Sequence, residues 1–335
     1  MWDFSIPRTL GLMGQTLPFI VLRILVYFGI AVAFLVTTGV GAGVGWGIGA
    51  FGGPDFRAGA IAWGGIIGFC VTAGTLFVLR EYVLYMVKAG HIAVLVELID
   101  GRGVPQGQGQ INYATEIVRR YFVETNVLFG VDLLIRGVLG AILGLLQGIT
   151  SLLPIPGLQN IVGLIRAFLR VAVGLMDEVI LGYLFRRQTT NPWQDAQTGI
   201  VLYAQNYRVM LKNAAWLTVI MYVLAFVVFL LMLAPAAALV WFIPNAWGAG
   251  GFVFALIFAW AVKAALIEPF AIAALMEVYF RVIEGQSPDP AWDERIGQVS
   301  RKFRELKDKA ANWVGGARPA PGAPFTSPGG PVAQG

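Results

Sequence analysis

The feature that most constrains this chain is a hairpin pattern that occurs three times. Two long apolar segments are joined by a tip rich in proline or glycine, and a basic segment carrying Trp or Tyr follows. The tips are Gly52-Gly53-Pro54, Pro154-Ile155-Pro156-Gly157 and Pro244-Asn245. The basic segments begin near Gly109, Asn191 and Asp289. A period of roughly 90 residues predicts an internal structural repeat. The alternative is that any protein with several spans and cytoplasmic loops shows such periodicity.

The apolar content of the chain excludes an ordinary soluble domain. Hydrophobic residues make up 57% of the 335 residues and charged residues only 13%, more apolar surface than a soluble domain of this length buries. A bilayer core of ~30 Å needs ~20 apolar residues per helix. Six segments meet or approach this length, namely 18–35, 58–79, 131–153, 161–181, 214–233 and 248–266. They lack the polar alternation of barrel strands, so helices are expected.

The sequence therefore predicts an all-α integral membrane protein with six transmembrane helices. These form three helical hairpins, each followed by a cytoplasmic interfacial amphipathic helix. The membrane domain is expected over 1–284, with hairpins at about 18–100, 126–186 and 214–284. A cytoplasmic amphipathic helix is expected over 285–314, and the Gly/Pro/Ala-rich tail 315–335 is expected to be disordered.

The distribution of basic residues predicts the orientation. The three tips carry almost no Lys or Arg, although Arg57 flanks the first, and basic residues concentrate on the opposite side. This distribution predicts that both termini lie in the cytoplasm of a multi-pass inner-membrane protein. The net charge of +5 favours anionic lipid at the cytoplasmic face as a partner. No nucleic-acid-binding signature accompanies it, so no nucleic acid is expected.

A C-terminal stripe of apolar residues recurs at alternating steps of four and three. Its members are Trp292, Ile296, Val299, Phe303, Leu306, Ala310 and Trp313. Such a stripe must be covered by lipid headgroups or by protein. We expect membrane-interface positions at Trp193, Trp292, Phe303 and Trp313.

Charged residues within or beside the apolar segments form the candidate site. They are Asp132, Arg136, Arg166, Arg170, Asp177, Glu178, Lys263 and Glu268. Arg166 is expected near mid-bilayer, where a lone charge costs at least ~2.5–3.5 kcal/mol. Three interpretations remain open. The four acids and four bases could neutralise one another, or the cations could line a hydrated cavity for an anionic group, with Glu268-Pro269 kinking the last helix. Alternatively, the central hairpin could be re-entrant.

Glycines recur at helical packing intervals in two places. Gly39 to Gly49 alternate with other residues in the first hairpin, and Gly140, Gly144 and Gly148 form a GxxxG ladder. Small faces allow close helix packing in lipid, which predicts packing within the chain. A homo-oligomer through these helices and a flexible or pore-lining glycine helix are the alternatives.

These features favour a non-enzymatic, transporter-like protein that binds or moves a small solute or lipid carrying an anionic group. The alternative is a membrane-organising or scaffold protein that acts through its amphipathic helices. Cys70 and His91 are each the only residue of their kind, so neither a catalytic nucleophile paired with histidine nor a metal cluster is expected. An intramembrane enzyme is the third hypothesis, and no catalytic residue or cofactor is predicted.

Overall fold

A computed structural model of the chain describes residues 2–104, 109–122, 134–138, 159–187, 191–241 and 248–313. Within these ranges the regular structure is helical and no strand occurs. The helices are α1 (Ile6–Gln15), α2 (Leu17–Gly49), α3 (Pro54–Ile99), α4 (Gln110–Phe122), α5 (Gln159–Arg187), α6 (Pro192–Gln205), α7 (Tyr207–Trp241), α8 (Gly248–Val262), a π turn (Lys263–Ile267), α9 (Glu268–Val282), α10 (Pro290–Val299) and α11 (Arg301–Ala311).

Four stretches among the described residues are long and apolar enough to cross a membrane. They are Leu17–Gly49, Pro54–Leu76, Tyr207–Pro235 and Gly251–Val282. The prediction of a helical protein with membrane-crossing helices is confirmed at this level. Most of the predicted segment 131–153 lies outside the described residues. Helix α5 covers the predicted segment 161–181 and is not among the four.

The α2–α3 hairpin depends on glycine at its contact face. A Cβ atom at Gly41 would overlap the carbonyl oxygen of Gly64, and one at Gly45 would overlap that of Ala60. In contrast, Gly39 and Gly43 have nothing within 4 Å of that position. Alternate glycines therefore lie on opposite faces of α2, and only one set packs against α3. At ~1.5 Å per residue, the 33 residues of α2 extend about 50 Å.

The main hydrophobic core lies away from the tip of this hairpin. It joins the C-terminal part of α3 to α5, α6 and α9 through residues such as Ile92, Leu184, Ile200 and Tyr279. Many side chains on the apolar stretches of α2, α3 and α7 are instead exposed, including Val36, Trp63 and Phe226. Exposed apolar surface on helices of this length is what lipid contact requires.

The C-terminal segment forms two helices that pack on the rest of the chain. Ser300 ends α10 and caps α11, because its hydroxyl accepts a hydrogen bond from the Phe303 N–H at 3.2 Å. Phe303 and Leu306 are fully buried in the main core, and Lys307 pairs with Asp293. Protein therefore covers this part of the predicted apolar stripe, while Val299 remains 49% exposed.

Candidate charge network

Four charged side chains from different elements meet beside the last apolar helix. The Nζ atom of Lys88 on α3 lies 2.5 Å from Oε1 of Glu178 on α5 and 4.0 Å from Oε2 of Glu268 on α9. The Nζ atom of Lys263 lies 2.7 Å from Oε1 of Glu268. We call these four residues, together with Arg23, the charge network. Lys88, Lys263 and Glu268 are each about a quarter exposed, so the network reaches the protein surface.

A π turn brings Lys263 and Glu268 together. In an α-helix, side chains five residues apart diverge by about 140°. In the π turn the Glu268 N–H donates to the Lys263 carbonyl, and this i→i+5 bond closes the five residues into one turn. The two side chains then lie on the same side of the helix and can pair.

Pro269 leaves the carbonyl of Ala264 without a partner in its own helix. The Glu268 N–H, its usual α-helical donor, is used by Lys263, and Pro269, at the next position, has no N–H. Arg23 supplies the missing donor through Nη1, which lies 3.3 Å from the Ala264 oxygen. The bond joins residues 241 positions apart in the chain and fixes α2 to the π turn.

Arg23 is fully buried on the inner face of α2. Phe19 precedes it by one turn and Tyr27 follows it by one turn, and both are also buried, so the guanidinium group lies on a face that contacts protein. Its Nε and Nη2 atoms have no hydrogen-bond partner among the described residues. A buried charge without compensation is costly, which distinguishes this residue from the paired lysines.

The described part of the network carries more positive than negative charge. Arg23, Lys88 and Lys263 face two carboxylates, Glu178 and Glu268. Burial lowers the pKa of Lys88, but the carboxylates of Glu178 and Glu268 oppose this effect, and the pKa is raised overall. Lys88 is therefore charged at neutral pH.

A buried histidine lies next to the network on α3. His91 Nε2 lies 2.9 Å from the hydroxyl oxygen of Thr16, and its ring stacks on Phe19 with 5.3 Å between centroids. Burial, reinforced by the charge of Arg23, holds the pKa of His91 well below its usual value. The imidazole is therefore neutral at physiological pH.

The structure divides the predicted site residues into two groups. Glu178, Lys263 and Glu268 belong to the charge network. Arg136 and Asp177 form a separate pair, with 3.0 Å between Nε and Oδ2. Asp132 lies outside the described residues. Arg166 and Arg170 belong to α5, but their side chains are not among those described.

Sequence reasoning missed Arg23 and assigned Lys88 only to the cytoplasmic basic side. The signal for Arg23 was present, because it is the only charged residue of the apolar helix Leu17–Gly49. A lone arginine in such a segment is a functional hypothesis by default. The contribution of Lys88 depends on a contact with α5 that no local pattern reveals.

The predicted interface aromatics mostly contact protein. Trp193 is 6% exposed and lies under Lys309, with 4.6 Å from Nζ to the ring centroid. Phe303 is fully buried, and Trp292 lies 5.8 Å from Tyr207 between ring centroids. Trp292 and Trp313 pack against the core while remaining partly exposed. Among the described residues, no group of three or more His, Cys, Asp or Glu side chains could hold a metal ion.

Comparison of this chain with family models, with curated proteins and with solved structures finds no match. The geometry alone therefore defines its class. Within the part of the chain that the structure describes, it is a helical protein with four helices long and apolar enough to cross a membrane. The partly exposed charge network lies where two of them, Leu17–Gly49 and Gly251–Val282, meet.

Proposed function

We propose that this chain is a transporter-like membrane protein that binds or moves a small solute or a lipid through an anionic group at the charge network. The fully buried Arg23, whose Nε and Nη2 atoms have no described partner, is the observation that carries the proposal. A charge that is buried without compensation is costly, and charges of this kind in apolar helices commonly mark functional sites. Discontinuous helices commonly surround transporter sites, and the π turn beside Pro269 is such an interruption.

The proposed arrangement in the membrane has six spans in three hairpins, with both termini in the cytoplasm of an inner-membrane protein. The apolar stretches of α2 with α3, and of α7 with α8–α9, supply two hairpins. The central hairpin would contribute α5 and its charges. Apart from Arg57, few basic residues lie near the Gly52-Gly53-Pro54 tip, which supports the orientation.

The transport proposal is tested by uptake in proteoliposomes. Radiolabelled phosphate, sulfate and acetate serve as separate probes, with wild-type protein and Lys263→Ala reconstituted at equal density. We expect uptake of at least one probe, and we expect Lys263→Ala to reduce it at least about tenfold because the network loses a cation and a pairing partner. Lys302→Ala is the matched control, since its exposed pair with Glu305 lies outside the network.

Thermal unfolding of the same preparations separates function from structure. Loss of uptake with an unfolding temperature near that of the wild type supports the proposal. Equal loss of uptake and stability in Lys263→Ala would instead show that the charges serve mutual pairing.

The alternative of a scaffold acting through its amphipathic helices makes a different prediction at Phe303. This ring is fully buried, and removal of a buried Phe side chain costs about 3–5 kcal/mol. We therefore expect Phe303→Ala to lower the unfolding temperature strongly, whereas Val299→Ala, at a half-exposed position, changes it little. A Phe303→Ala protein with unchanged stability but weaker binding to anionic vesicles would favour the scaffold hypothesis.

A further inference from the structure

We propose that Arg23 binds one oxyanion group, a carboxylate or a phosphate, through two parallel hydrogen bonds from Nε and Nη2. The inference rests on the proposed function and specifies the chemistry of its ligand. The five N–H donors of this guanidinium group are divided between two sides.

One side of the guanidinium group is already used. Nη1 donates to the Ala264 carbonyl, a bond that the π turn and Pro269 make necessary. This bond orients the Nη1 side of the group toward the π turn. The atoms that remain, Nε and Nη2, form the opposite edge, where two N–H bonds point the same way. Such an edge matches two oxygens of one carboxylate or phosphate, whereas a halide offers only a single acceptor atom.

The carboxylates of the network do not satisfy this edge. Glu178 is bound to Lys88, and Glu268 is bound to Lys263. Among the described side chains, no carboxylate oxygen lies within 4.0 Å of the Arg23 nitrogens. Both atoms of the edge are nevertheless fully enclosed. A guanidinium group held in place, buried and with one free edge is arranged for a ligand that brings its own charge.

The other charged side chains of the network are more accessible than Arg23. Lys88, Lys263 and Glu268 are each about a quarter exposed, whereas Arg23 is fully buried. The same oxyanion chemistry belongs to a free carboxylate or phosphate and to the phosphate of a lipid headgroup, so the test needs an arm for each source.

The test measures the unfolding temperature of the purified full-length protein in a neutral detergent. One arm titrates acetate, inorganic phosphate, chloride and bromide at matched ionic strength. The other arm adds mixed micelles of phosphatidylglycerol or of phosphatidylcholine. We expect acetate, phosphate or phosphatidylglycerol to bind at least about tenfold more tightly than bromide. Competition of phosphatidylglycerol against phosphate identifies the lipid as the source, and binding of the free anions alone identifies a soluble ligand.

Arg23→Lys keeps the positive charge and removes the two parallel N–H donors of Nε and Nη2. We expect it to weaken oxyanion binding at least about tenfold and to leave the weak response to bromide unchanged. Arg301→Lys, at an exposed position on α11, is the matched control and should bind as the wild type does. If Arg23→Lys does not fold, the preference of the wild type for oxyanions over bromide decides the question.

Three results would overturn the inference, and they separate it from the proposed function. Equal affinity of the wild type for bromide and oxyanions contradicts the two-pronged contact. Unchanged oxyanion affinity in Arg23→Lys, together with loss of binding in Lys263→Gln, leaves an anion site but removes Arg23 from it. Absence of binding by every anion and lipid tested contradicts both proposals.

Discussion

At the scale of single residues, the molecule buries polar groups that most proteins keep at the surface. Arg23 and His91 are both fully enclosed and lie on adjoining helices, α2 and α3. The guanidinium group of an arginine is permanently charged in proteins, whereas burial keeps the imidazole of His91 neutral. Of these two buried groups, Arg23 is permanently charged, and His91 is neutral at physiological pH.

His91 makes stability depend on pH in a defined direction. The unfolded chain takes up a proton at His91 as the pH falls below about 6.5, while the folded protein, with its lowered pKa, does not. The unfolded state therefore binds more protons, and stability is lost as the pH falls from about 6.5 towards the folded pKa.

Thermal unfolding across pH 5–8 measures this effect. His91→Gln should be less stable than the wild type at pH 7.5 but should show a flatter pH profile below about pH 6.5. A variant that is as pH-sensitive as the wild type would assign the titration to another group.

At the scale of elements, the two glycine faces of α2 have different roles. Gly41 lies against the backbone of Gly64, whereas Gly43 faces open space. Gly41→Ala should separate α2 from α3 and destabilise the protein by about 1–3 kcal/mol, as overpacking usually does. Gly43→Ala is the matched control and should leave stability unchanged or raise it, since alanine favours a helix over glycine by about 1 kcal/mol.

Unfolding temperatures in detergent, measured with intrinsic tryptophan fluorescence, check this pair of variants. Equal destabilisation by both substitutions would contradict the separation of the two faces. The alternative of a homo-oligomer can be tested with the same proteins, because Gly43→Ala should weaken association if that exposed face contacts a second copy.

At the scale of the whole molecule, the number of spans is the property that most needs a direct measurement. The experiment starts from Cys70→Ser, which removes the single cysteine of the chain. Phe51→Cys, Ser151→Cys, Gln159→Cys and Asn312→Cys are then introduced singly. With six spans, an impermeant maleimide applied from outside should label positions 51, 151 and 159, and should label position 312 only after permeabilisation.

Labelling at 51 without labelling at 151 or 159 would contradict the six-span arrangement and favour a central hairpin that does not cross. Labelling at 312 from outside would reverse the predicted orientation of the C-terminus.

The sequence predicted the elements better than the contacts between them. Hydropathy is a local property, so four of the expected spans correspond to helices of bilayer length. The charge network instead joins α2, α3, α5 and α9, and its central hydrogen bond connects Arg23 to Ala264. Pro269 predicted a kink in the last apolar helix. It did not predict that the interruption would be a π turn, or that the Ala264 carbonyl there would accept a hydrogen bond from Arg23. The apolar stripe predicted that α11 would be covered, but not by which surface.

The length of α2 has a consequence for the membrane around it. A helix of about 50 Å standing upright exceeds a hydrocarbon core of ~30 Å by nearly two thirds. An α2–α3 hairpin that spans a bilayer would therefore have to tilt, extend its tip beyond the leaflet, or thicken the bilayer nearby. Arg23 lies near the N-terminal end of α2, and its side chain is hydrogen-bonded to the Ala264 carbonyl in the π turn. A change in bilayer thickness that tilts the hairpin would therefore displace the π turn through the hydrogen bond between Arg23 and Ala264.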